Sequence, residues 1–92
     1  MSDNRIPRQI EDYRLEEMDG EMLLHHPGQT QTLYLNETAA IIWQLCDGQR
    51  NVGEIVELLK ENFPKVAGTI EGDVMETLEQ IKEFGGIEYL PS

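Results

Sequence analysis

The amino-acid sequence predicts an α+β domain, a three-stranded antiparallel β-meander followed by three helices. Three observations carry this reading. Short segments with alternating apolar and polar residues are separated by the turn dipeptides Asp19-Gly20 and Pro27-Gly28; alternation marks half-buried strands, and such dipeptides mark tight reversals. At Asn36 the apolar period lengthens from two residues to about 3.6, the change from strand to helix. Beyond it, three helical-period segments are divided by Gly48 to Asn51 and by Pro64.

Met1 to Gln9 is polar, contains Pro7 and shows no period. It is expected as a flexible tail (residues 1–9) before one domain spanning residues 10–90. In Ile10 to Met18, Tyr13 and Leu15 alternate with charged residues, the pattern of a first strand. Asp19-Gly20 suits a type I′ turn, in which both central residues take positive φ. Glu21 to His26 is the return strand. Thr30 to Leu35 is the third, with Leu33 and Leu35 on one side and Thr32 and Tyr34 on the other.

Asn36 is placed to cap the first helix, and Glu37 sets negative charge at its positive end. Ala39, Ile42, Trp43 and Cys46 share a face that Ile41 and Leu45 widen, so this helix is expected as a buried hub, ended by Gly48. Asn51 and Glu54 form a capping-box pattern before Val52, Ile55, Val56 and Leu59, and Pro64 stops this second helix after Phe63. The third helix is expected to start at a Thr69 cap, bury Ile70, Val74, Leu78, Ile81 and Phe84, and close at Gly85-Gly86. Ile87 to Leu90 reads as a short extended end. Helices in this order beside a small meander are winged helix-turn-helix-like.

Ninety-two residues suffice for a single core without staples. No long apolar run and no secretory signal pattern occurs, and the lone Cys46 leaves no internal disulfide, so a cytoplasmic setting is expected. Eighteen acidic residues against seven basic ones give a net charge of −11, which disfavours nucleic acid and anionic membrane. The third helix would present Glu71, Asp73, Glu76, Glu79 and Glu83 to phosphates with Lys82 alone to offset them.

Little in the chain resembles catalytic machinery. His25 and His26 are adjacent on a strand and point to opposite faces, so they do not converge on one metal ion. Cys46 lies on an apolar helix face and behaves as a small hydrophobe. No phosphate loop and no nucleophile–base–orienter set occurs. The expectation is a non-enzyme with no cofactor.

What remains is surface geometry. The third strand would be a sheet edge with unpaired backbone groups. The third helix has a flank of Glu71, Met75, Leu78 and Lys82, in which Met75 is an adaptable apolar residue. Together they suit a peptide added as a further strand. Two alternatives from other classes are a winged-helix DNA-binding regulator and a self-associating module that pairs two third-strand edges.

LNETAAIIWQLCDGQRNVGEIVELLKENF followed by IEGDVMETLEQIKEFGGIE resembles the PqqD-like family through Leu35-Asn36, Ala39, Trp43, Asp47-Gly48, Arg50, Val52, Ile55-Val56, Leu59, Phe63, Asp73-Val74 and Leu78. The resemblance covers roughly residues 13–88. It implies a RiPP recognition element, a peptide chaperone holding the leader of a ribosomally made precursor for a maturation enzyme, typically a radical S-adenosylmethionine protein. It places the leader on the third strand and third helix, here Thr30, Thr32, Leu33 and Tyr34 with Met75, Leu78, Glu79 and Lys82. His26-Pro27-Gly28-Gln29 stands where the family commonly has Tyr-Pro-Glu-Gly, which leaves open PQQ biosynthesis or a related peptide pathway. The expected assembly is a monomer or weak dimer.

Overall fold

Four residues in ten of this chain follow the helical period, and the computed structural model, which describes residues 4–91, turns each such segment into a helix around one apolar core. The order is β1 (Ile6–Gln9), β2 (Arg14–Met18), β3 (Glu21–His25), β4 (Thr32–Leu35), α1 (Glu37–Gln44), α2 (Val52–Asn62), a 3₁₀ turn (Pro64–Val66), α3 (Ala67–Phe84) and β5 (Ile87–Leu90). The α+β class stands, with three helices and antiparallel strands. The strand count does not: five strands form two sheets, β2-β3-β4 and β1-β5.

The meander has the expected order. β2 pairs with β3 from Arg14↔His25 to Met18↔Glu21, and β3 with β4 from Met22↔Leu35 to His25↔Thr32. Asp19 (φ 54°) and Gly20 (φ 81°) both take the left-handed conformation that their turn requires. This register puts Leu15, Met22, Leu24, Leu33 and Leu35 on the face toward the core, with Leu24 and Leu35 buried. Thr30 lies outside β4, which is shorter than expected, and sits in the preceding loop.

The expected tail is corrected in part. Met1–Asp3 lie outside the described residues, but Ile6–Gln9 is a strand, paired antiparallel with β5 from Ile6↔Leu90 to Gln9↔Ile87. It is also sewn to the α1–α2 junction through its backbone: the amide of Gln9 donates to Cys46 O (3.0 Å), that of Gly48 to Pro7 O (3.0 Å) and that of Val52 to Arg5 O (2.8 Å). Pro7 is buried there, and Arg8 pairs with Glu88.

Helix ends follow local chemistry. Asn36 Oδ1 accepts from the Ala39 amide at 2.7 Å, and Asn51 and Glu54 form the reciprocal box at 2.8 and 3.0 Å. Two ends differ from expectation. α1 closes at Leu45, and Gly48 (φ 78°) shapes the turn beyond it. α3 begins at Ala67, continuing from the 3₁₀ turn, so Thr69 lies inside the first helical turn, where its hydroxyl donates to Val66 O. The core is Leu24, Ile42, Trp43, Cys46, Val52, Ile55, Leu59, Ile70, Val74, Leu78, Ile81 and their neighbours, with α3 packed on α1, α2 and β5. Trp43 is nearly buried, and its indole N–H donates to Gly86 O at 3.3 Å.

Candidate functional site

The sheet β2-β3-β4 has two edges, and they differ in character. β2 carries Arg14, Glu16 and Glu17, charges that discourage pairing with another chain. β4 reads Thr32-Leu33-Tyr34-Leu35, with no charge, and among the described residues it is bonded to β3 alone. Every second N–H and C=O of an unpaired edge points outward, so β4 offers a short row of free donors and acceptors.

α3 runs beside this edge in the opposite chain direction. A recess of about 220 Å³ lies between Tyr34, Asn36 and Thr38 and the helix residues Asp73, Glu76, Thr77 and Gln80. A second, of about 380 Å³, lies between the loop Gly28–Gln31 and Glu83 and Phe84 at the helix's other end. The two recesses lie toward opposite ends of β4, and each is walled on its far side by residues of α3. Tyr13 fixes the second. The phenol donates to Phe84 O (3.2 Å) and accepts from Gln29 Nε2 (2.9 Å), while its ring stands 4.9 Å from His26 and 5.9 Å from Phe84. The loop that carries Thr30 is thereby tied to the end of α3.

The sequence-derived site is brought together only in part. Thr32 and Tyr34 are exposed on β4, and Thr30 lines the loop recess. Leu33 faces the core side of the sheet and is half-buried. The helix half of the site lies on a different flank. Leu78 is 1% exposed and belongs to the core, so it has no surface to offer. Met75 accepts from Arg5 Nη2 through its sulfur at 3.9 Å, and Lys82 Nζ stands 5.4 Å from the centre of the Tyr89 ring. Both therefore face β1 and β5 rather than β4. Glu79 is exposed and spaced three or four residues from members of both flanks, Met75 and Lys82 on one and Glu76 and Glu83 on the other. Asp73, Glu76, Thr77, Gln80 and Glu83 line the recesses instead, and the sequence signal for them was available: they recur at three- and four-residue intervals one flank around from the buried face.

A larger cleft of about 980 Å³ opens between the β2–β3 turn and α1, lined by Met22, Leu35 and Ile41 with Glu17, Glu21 and Glu37. This cleft too borders β4, through Tyr34 and Leu35, but its other walls are the β2–β3 turn and α1, whereas the two smaller recesses lie between the β4 side and α3.

Reactive chemistry is sparse. Burial, and secondarily the charge of Asp47, pushes the Cys46 thiol up to about 12, so it stays protonated and unreactive. The Gln49 amide, then the Arg50 amide and guanidinium, hold the Asp47 carboxyl below the usual carboxylate range in an exposed turn. Among the described residues no three His, Cys, Asp or Glu side chains are grouped to hold a metal ion. No described helix is long and apolar enough to cross a membrane.

Residues 21–86 match the family model described as coenzyme PQQ synthesis protein D (PqqD). The chain belongs to the PqqD family. Relatives named PqqA binding protein include one from Kluyvera intermedia, 37% identical over 86 residues that cover 90% of this chain and 89% of that protein. Another, from Pseudomonas putida, is 32% identical over 89 residues, covering 94% and 89%. A third, from Klebsiella pneumoniae, is 51% identical over 45 residues; that match takes in 49% of this chain and spans about half of the relative (48%). No solved structure gives a significant match.

Proposed function

We propose that this PqqD-family domain binds a PqqA-type precursor peptide by adding its leader as a strand to the free edge of β4, with α3 as the outer wall. The observation that carries the reading is the uncharged β4 edge, unpaired among the described residues, with α3 running antiparallel beside it. Backbone bonds along such an edge supply affinity without demanding a sequence, and the wall supplies choice. The name of the relatives, PqqA binding protein, agrees with this use.

In this reading the domain does no chemistry and holds no cofactor. It presents the leader, as monomer or weak dimer in the cytoplasm, to a modifying enzyme of the radical S-adenosylmethionine class in PQQ biosynthesis or a related peptide pathway. A DNA-binding role is disfavoured by the exposed acids of α3, which would meet phosphates with like charge.

The test is amide hydrogen exchange and chemical-shift mapping on the labelled domain with the synthetic PqqA peptide of Klebsiella pneumoniae. Alternate amides between Gln31 and Leu35 should gain protection, and shifts should concentrate at Asp73 to Phe84. Protection elsewhere with β4 unchanged, or a response to duplex DNA alone, would falsify the proposal.

A further inference from the structure

The run His26-Pro27-Gly28-Gln29, where the chain departs from the common family pattern, folds back on the His26 ring. The Gly28 amide donates to His26 Nδ1 at 2.9 Å, and the Gln29 amide donates to His26 O at 3.0 Å. Gly28 sits so close that a Cβ there would lie 3.2 Å from both Nδ1 and Cε1 of that ring. The ring also stands against Tyr13, with centroids 4.9 Å apart, and Gln29 Nε2 donates to the same phenol at 2.9 Å. An imidazole accepts at Nδ1 only when that nitrogen carries no proton. The Gly28 bond therefore selects the neutral tautomer with its proton on Nε2.

Proton and amide compete for one lone pair. Imidazole is the side chain that takes up its proton between about pH 8 and 5. The imidazolium donates from both nitrogens, so the Gly28 amide then faces an N–H and its bond is lost. The groups about the ring do not oppose this. Tyr13 presents its phenol from the β1–β2 link. Glu83 of α3 is the charged residue of the recess that Gly28 and Gln29 line, and its negative charge attracts a cation. His25, the neighbour in sequence, pairs with Glu16 on the opposite face of the strand. We infer that His26 is a proton-operated latch on the loop that leads into β4: the neutral ring holds Gly28–Gln31 closed, and the protonated ring lets it go. That loop carries the second recess and is tied through Tyr13 to Phe84 O, so its release in acid weakens capture along β4. This rests on β4 being the capture strand and names what regulates it.

The test uses the full chain, its variants His26→Asn and His26→Phe, and the Klebsiella pneumoniae PqqA peptide as probe. Asn offers Oδ1 to the amide two residues on at every pH, whereas Phe keeps a ring against Tyr13 and offers no acceptor. Nitrogen-15 spectra of the parent should show Nδ1 unprotonated at about pH 8, and the Gly28 and Gln29 amide signals should move with the His26 ring as the pH falls to about 5.5. A hydrogen bond of ordinary strength corresponds to about 2–12-fold, so Gly28 protection, corrected for intrinsic exchange, should fall by that factor in the parent. It should hold in His26→Asn across the same range and be low throughout in His26→Phe. Peptide affinity should follow the same order, the parent losing more in acid than His26→Asn does. A Gly28 amide that ignores the titration of the ring, or an Nδ1 that carries the proton in alkali, overturns the latch. If the latch titrates but the parent and His26→Asn lose affinity equally in acid, with the β4 amides protected by peptide, control of capture is refuted and the β4 reading stands. If the peptide binds with the β4 amides unprotected, or fails to bind, the β4 reading fails and the regulation of capture falls with it.

Discussion

Trp43 ties the hub to the rest of the core, and removing it sets a number on how much the hub supports. Its ring lies in the core beside the end of α3, where a Cβ on Gly86 would lie 3.6 Å from Trp43 Nε1. Truncating a buried Trp to Ala costs about 3–5 kcal/mol. The Gly86 carbonyl also loses its 3.3 Å indole donor, a further cost of about 1 kcal/mol. The total of about 4–6 kcal/mol is a large share of the roughly 5–15 kcal/mol of a native domain. At about 4–8 °C per kcal/mol for a chain of this size, Trp43→Ala should lower Tm by more than about 15 °C. Trp43→Phe keeps most of the ring and loses only the donor and part of the volume, so it should cost about 1–3 kcal/mol. Trp43 is the sole tryptophan, so urea unfolding followed by circular dichroism is the assay. A Trp43→Ala loss below about 1.5 kcal/mol would refute the placing of this ring at the centre of the core.

Gly85 holds φ 99°, and a Cβ there would approach Tyr13 Oη to 2.7 Å, so Gly85→Ala should destabilise by about 1–3 kcal/mol and release the Tyr13 phenol, seen as a shifted ring signal. Asn51→Ala removes half of the α2 capping box and should cost about 1 kcal/mol in urea unfolding with β4 shifts unchanged. Because the folded Cys46 pKa lies above that of the unfolded thiol, the folded state retains the proton that the unfolded state loses. Stability should therefore fall as pH rises from about 8.5 toward 12, by at most about 1.4 kcal/mol per unit, and Cys46→Ala should remove that part of the alkaline slope in chemical denaturation. Asp47 works in the opposite direction: its lowered carboxyl adds stability above the ordinary carboxylate pKa that is lost as pH falls through the folded value, so Asp47→Asn should flatten the acid limb below about pH 4.

What the sequence made legible was local. Asn36, the Asn51/Glu54 box and Asp19-Gly20 act within a few residues, and each does in the fold what its chemistry dictates. β1 was hidden because its ties are backbone bonds to Cys46, Gly48 and Val52, which leave no apolar period to read. The strand half of the candidate site followed from chain order, which makes the last strand of a meander an edge. In the helix half, Met75 and Lys82 lie on the flank beside Arg5 and Tyr89; periodicity tells which residues share a side of α3 and is silent on which neighbour lies against each side. Met75 is exposed on that flank, where its sulfur meets Arg5. Gly48 shows the same limit: its positive φ is a property of the residue, while its place four residues past the end of α1 goes with the pairing of Arg8 with Asp47 and its own bond to Pro7 O.

The clasp of β1 on β5 has a kinetic side. Arg8 and Glu88 are 80 positions apart, whereas the meander and the α2 caps close over a few residues each. A contact of that span forms after the shorter ones and lets go before them. Its release would free the Cys46 carbonyl and the Gly48 amide of their partners on β1, while β4 and its flanking loop, held by β3 and Tyr13, would keep their shape. Exchange of the Gln9 and Gly48 amides would then clock the fraying of the clasp and say nothing of the β4 edge.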